Sequence, residues 1–86
     1  MKSISNINDT IQKFVVEIEP RNQLPLELNS NFIDDLWFDS LSFIALIVSI
    51  ETEYDIEINP ENLVLDEIKT IEDLSILIFN TLKEKE

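Results

Sequence analysis

The sequence predicts an all-α protein, a small four-helix bundle of three main helices and one short one, with a long loop between the first and second helices. Three observations point there. Apolar residues recur at spacings of three and four in three separate stretches, which places each set on one helix face. Breaker residues fall between those stretches and not inside them: Pro20 and Pro25 after the first, Pro60 before the third. Only Glu53-Tyr54-Asp55-Ile56-Glu57-Ile58 alternates as a strand would, and it is short and has no segment to pair with. It is expected to be a loop that tucks Ile56 and Ile58 inward.

The first helix starts near Ile4 and carries Ile4, Ile7, Ile11, Phe14, Val15 and Ile18 on one face, until Pro20 ends it. From Glu19 to Asp35 the chain holds Pro20, Pro25, Asn22, Asn29, Ser30 and Asn31, a loop composition. Structureless loops of this length are uncommon, so Leu24, Leu26, Leu28, Phe32 and Ile33 are expected to pin it to the core. Leu41 to Tyr54 winds into two apolar stripes. Phe43, Leu46, Ile47, Ile50 and Tyr54 make the set that faces the core, and Leu41, Ile44, Ala45 and Val48 make a second. A helix in a single-core bundle seldom buries both. The second stripe is therefore expected to be partly exposed, as a docking surface; the alternative is a central helix buried nearly all round. Asn59 and Pro60 open the short helix, which runs through Leu63 and Leu65 toward Ile68. Thr70 with Asp73 resembles a capping box at the start of the last helix. Its face is Ile71, Leu74, Leu77, Ile78 and Leu82, and Lys83 and Lys85 stand at its cation-favouring end.

Composition narrows the chemistry. The 86 residues are expected to form one domain, 1–86, of a size that buries about 60 to 65% of its unfolded surface. The chain has no Cys and no His, so disulfides, thiolate metal sites and the commonest general base are all missing, and independent catalysis is not expected. Asp55, Glu57, Asn59 and Glu61 invite comparison with a calcium loop. Pro60 stands where that loop needs Gly, and Asp66 where it needs a closing Glu, so no metal site is expected. No apolar run nears the roughly 20 residues of a membrane span, and no signal-peptide core is visible; a cytoplasmic monomer is expected. The net charge is −12, and between Asn31 and Asp73 twelve acidic residues face one base, Lys69. That balance argues against nucleic acid or membrane as partners and for basic patches on other proteins, unless the acidity serves solubility alone.

Where the loop meets the second helix stands Asp39-Ser40-Leu41. Asp39 and Ser40 are both good N-cap residues, and a serine in this place is most often only a cap. The functional alternative is that its hydroxyl, at the positive end of a helix dipole, carries a phosphate group favoured there by charge and free N–H donors.

These residues, together with Glu51-Thr52-Glu53-Tyr54-Asp55-Ile56-Glu57-Ile58 and Lys69-Thr70-Ile71-Glu72-Asp73-Leu74, make the chain resemble the acyl carrier and peptidyl carrier proteins, over nearly its whole length. The resemblance implies 4′-phosphopantetheine covalently attached to Ser40, with Asp39 and Leu41 flanking it, and an acyl or aminoacyl cargo held as a thioester. A chain without Cys can hold a thioester only on such a borrowed thiol. The resemblance also implies a phosphopantetheinyl transferase, an adenylating or acyl-loading enzyme and downstream biosynthetic enzymes as partners. They would meet the second helix through Leu41, Ile44 and Val48, with Trp37 beside them. The chain departs from the family's pattern in two places. Trp37 stands where the family usually has Gly, three residues before the serine, and Ser42 and Ala45 stand where members serving fatty acid synthesis tend to carry carboxylates. The second departure points to a dedicated polyketide, nonribosomal-peptide or related pathway, with fatty acid synthesis as the alternative. A carrier-like interaction module that is never modified is the reading from another class. Phe43, Ile47, Leu63, Leu65 and Ile68 could open to shelter an acyl chain, but a filled core is preferred.

Overall fold

The computed structural model describes residues 3–59 and 67–85, and among these it is all-helical: α1 (Ile4–Ile18), α2 (Ser40–Tyr54) and α3 (Ile71–Lys85). The described residues form no strand, only one antiparallel bridge between Asn31 and Thr70. The short helix expected through Pro60, Leu63 and Leu65 lies outside the described residues.

Local chemistry accounts for the helix ends. At the start of α1, Ser3 accepts a hydrogen bond from the Asn6 N–H at 3.1 Å. Pro20 cannot continue the helix, and Glu19 before it leaves helical geometry at φ −130°, ψ 89°. α2 stops at Asp55, which takes the left-handed conformation at φ 54° and sends its N–H back to the Glu51 carbonyl. The capping box of α3 is formed reciprocally. The Asp73 N–H donates to Thr70 Oγ1 at 3.1 Å, and the Thr70 N–H donates to Asp73 Oδ2 at 3.2 Å.

The helix α1 packs against both α2 and α3. Its buried face is Ile7, Ile11 and Val15; Leu46, Ile47 and Ile50 meet it from α2, and Ile71, Leu74 and Ile78 from α3. Burying such side chains fully stabilises the fold by about 1.5 to 3 kcal/mol each. One polar residue, Ser75, is wholly buried in α3; its hydroxyl lies 2.9 Å from the Ile71 carbonyl and meets the Asn8 side chain of α1. Ile56 and Ile58 are buried without a strand, because Glu51 organises their segment. Its carbonyl accepts the Ile56 N–H at 3.1 Å and its carboxylate the Ile58 N–H at 2.9 Å.

The connection from α1 to α2 is pinned differently from the expectation. Phe32 is wholly buried and Leu26 half-buried, but Leu24, Leu28 and Ile33 are exposed; the deeper anchors are Leu36 and Phe38. Hydrogen bonds are the reason. Asn31 accepts the N–H groups of Ile33 and Asp34 at 2.9 and 3.0 Å, a tight turn that leaves Ile33 outside while Phe32 points in. Leu28 is held by its carbonyl, which accepts the Glu72 N–H at 2.9 Å, and not by its side chain. The Phe32 N–H donates to the Lys69 carbonyl at 2.8 Å, while its ring lies 5.6 Å from Phe38 and 5.5 Å from Phe43 between centroids. Phe32 thus ties the segment leading into α3, through its backbone, to the start of α2, through its ring.

Candidate functional site

Both Asp39 and Ser40 are suited to cap α2, and the structure divides the roles. Asp39 has extended backbone (φ −121°, ψ −172°), and its side chain accepts the Ser42 N–H at 2.8 Å. Its carbonyl accepts the Phe43 N–H at 3.0 Å. Ser40 is thereby the first helical residue, exposed, and its hydroxyl takes no part in the capping. The Asp39 carboxyl is held below the usual carboxylate range, first by the Ser42 N–H and then by the Ser42 hydroxyl, so it stays charged near neutrality.

The two stripes of α2 separate as expected. Phe43, Leu46, Ile47 and Ile50 are buried and Tyr54 half-buried, whereas Leu41, Ile44 and Val48 are 76%, 58% and 54% exposed. An edge-on contact between Phe32 and Phe43 fixes which side faces inward. The first turn of α2 carries no acidic residue. An apolar strip therefore leads away from Ser40 along one exposed face. Phe43, Ile47 and Ile68, three of the five residues considered as an acyl shelter, are all buried; Leu63 and Leu65 lie outside the described residues.

Upstream, Trp37 is held between two buried neighbours, Leu36 and Phe38, yet is itself 57% exposed. Its φ is 64°, in the left-handed region that glycine enters without penalty and a bulky residue does not. Asn22 fixes the neighbouring backbone by donating to the Leu36 carbonyl at 3.0 Å. The Arg21 guanidinium lies over the indole, 4.3 Å from the ring centroid, and is gripped by Glu19 through Nε at 2.9 Å and Nη2 at 2.7 Å. Those hydrogen bonds from Arg21 pull the Glu19 carboxyl down to about 2 and push the guanidinium up. Sequence reasoning placed Glu19 and Asn22 in the loop by composition alone and did not name Arg21, since nothing in their local pattern announces a contact with Trp37.

Over residues 9–78 the chain matches the family described as the phosphopantetheine attachment site. The chain belongs to the acyl carrier protein family. The acyl carrier protein of Buchnera aphidicola subsp. Acyrthosiphon pisum (strain Tuc7) is 36% identical over 69 residues, covering 80% of this chain and 84% of the relative. That of Buchnera aphidicola subsp. Schizaphis graminum (strain Sg) is 37% identical over 59 residues, covering 69% and 75%. A solved structure assigned as an acyl carrier protein from Mycobacterium tuberculosis superposes with a TM-score of 0.63 at 30% identity, covering 96% of this chain and 97% of its own. Acyl carrier proteins bear covalent 4′-phosphopantetheine, and they are carriers that work with a phosphopantetheinyl transferase and biosynthetic enzymes. The start of α2 fits that group. Ser40 is exposed and its hydroxyl makes no hydrogen bond among the described residues, the helix end favours a phosphodiester, and the adjacent carboxylate, Asp39, is engaged with Ser42. Among the described residues no helix is long and apolar enough to cross a membrane, and no group of acidic residues is placed to hold a metal ion.

Proposed function

We propose that this acyl carrier protein takes its 4′-phosphopantetheine on the Ser40 hydroxyl. The carrying observation is the division of labour at the start of α2: Asp39 caps, so Ser40 is helical, exposed and free to react. The group supplies a thiol, absent from this chain, on which a cargo is held as a thioester. Asp39 fixes the helix start, and the apolar strip of Leu41, Ile44 and Val48, with Trp37 at its upstream end, gives partner enzymes a surface to grip. Those partners are a phosphopantetheinyl transferase, an adenylating or acyl-loading enzyme and the enzymes that process the cargo. The chain acts as a single carrier domain over 1–86, a cytoplasmic monomer.

The relatives' common name favours an acyl cargo over an aminoacyl one. Without carboxylates in its first turn, α2 offers apolar contact where charge attraction would otherwise lead, which favours a dedicated biosynthetic pathway. A carrier for fatty acid synthesis is the second reading, favoured by the same relatives. Co-expression with a promiscuous transferase followed by intact mass measurement tests the attachment. The phosphopantetheine increment is expected in the wild type and not in Ser40→Ala; its absence from the first, or its presence in the second, overturns the reading. Loading assays with acyl and aminoacyl donors then separate the cargoes.

A further inference from the structure

Trp37 combines two unfavourable features in one residue. Its left-handed backbone costs about 1 to 2 kcal/mol for a residue with a Cβ, and its indole, the most valuable apolar group in the chain to bury, is left 57% exposed. Strain of this kind collects at functional places. The ring is also held rigid: Leu36 and Phe38 are anchored in the core on either side, Asn22 holds the Leu36 carbonyl, and Arg21 backs the ring from its grip on Glu19. A preorganised plate loses little entropy on binding.

Resting on the reading that Ser40 is modified, we infer that the open face of Trp37, with Arg21 behind it, is a resting site for the phosphopantetheine arm attached to Ser40. Two residues lie between these positions, so their Cα atoms are at most about 11 Å apart. A tether that short gives a millimolar-range effective concentration, and weak contacts are enough to dock the arm. The chemistry is complementary. The arm carries a negative phosphodiester, a carbon bearing two methyl groups, and two planar amides; an indole face takes methyls and amide planes. Arg21 supplies a cation in a chain of net charge −12, and Glu19 engages only its Nε and Nη2, leaving the Nη1 donors to a phosphate oxygen. With Phe43 and Ile47 filling the core beneath α2, the docked arm lies along the surface beside Leu41, at the edge of the partner-facing strip.

Trp37 is the only tryptophan, so its emission reports the site directly. The experiment compares apo and holo protein after intact mass has shown that the arm is attached, a step that tests the Ser40 reading separately. In the holo protein the emission is expected to shift to the blue and acrylamide quenching to fall by at least about half, as the one open ring face is covered. The geminal methyl protons of the arm are expected upfield of their position in holo Trp37→Leu, and Arg21→Met is expected to weaken both effects. Identical emission and quenching in apo and fully modified holo wild type would overturn the proposal, as would methyl shifts that do not differ between the wild type and Trp37→Leu. The fluorescence comparison needs no variant, so it stands even if Trp37→Leu folds poorly.

Discussion

The Arg21 guanidinium rests 4.3 Å from the centre of the Trp37 indole, across sixteen residues of chain, and Trp37 meets it from a left-handed backbone. That pairing separates two contributions at position 37. Trp37→Ala keeps the backbone penalty and loses the ring contact. Trp37→Gly loses the contact but removes the penalty, offset in part by the greater freedom of glycine in the unfolded chain. Trp37→Gly is therefore expected to be more stable than Trp37→Ala by about 0.5 to 1 kcal/mol in urea unfolding; equal stabilities would contradict a strained Trp37.

With Asp39 as the cap and the Ser40 hydroxyl uncommitted, the two neighbours should respond oppositely to truncation. Asp39→Ala is expected to lower Tm by about 4 to 8 °C, whereas Ser40→Ala should move it by less than about 2 °C. Thermal melts of the two apo variants check this.

Hydrogen bonds from Arg21 hold the Glu19 carboxyl below the ordinary glutamate value. Its folded value, about 2, is depressed from 4.5 by its hydrogen bonds to Arg21, so its stabilising contribution is present above pH 4.5 and fades as the pH falls through that interval toward 2. Carboxyl-carbon NMR is expected to show the Glu19 midpoint near the lower value, returning to the ordinary glutamate range in Arg21→Ala. A wild-type midpoint in the ordinary range would rule out the persistent pair.

The two stripes of α2 predict opposite phenotypes. Leu46→Ala and Ile50→Ala, both at wholly buried positions, should each cost about 2 to 5 kcal/mol. Ile44→Ala and Val48→Ala, on the exposed strip, should change stability by less than about 0.5 kcal/mol yet slow modification by the transferase. Chemical denaturation beside a mass-based modification assay reads both.

Tyr54, at the last turn of α2, has a buried hydroxyl with no hydrogen-bond partner among the described residues. An unpaired buried hydroxyl destabilises, so Tyr54→Phe is expected to raise stability by about 1 kcal/mol. A loss of stability in the same denaturation assay would show that the hydroxyl has a partner in solution.

Where spacing and local chemistry decide a feature, the sequence displayed it. The bounds of α1 follow from apolar periodicity and Pro20, both stripes of α2 from winding Leu41 to Tyr54, and the α3 start from Thr70 and Asp73. Where the path of the loop decides, it did not. Leu24, Leu28 and Ile33 look as apolar as Leu36 and Phe38, and only the Asn31 turn and the twist at Trp37 determine which of them face inward. The choice between Asp39 and Ser40 as cap was equally closed to sequence, since both have the needed oxygen. The Arg21 to Trp37 contact depends on bringing distant turns together, which no local pattern encodes.

Trp37 and Asp55, the two left-handed residues among those described, belong to a chain with no glycine at all. About six glycines would be usual at this length, and each replacement by a residue with a Cβ narrows the unfolded ensemble by about 0.4 to 1 kcal/mol of entropy. A small core then has less disorder to overcome, and the penalty taken at two turns is offset by the stiffness of the unfolded chain.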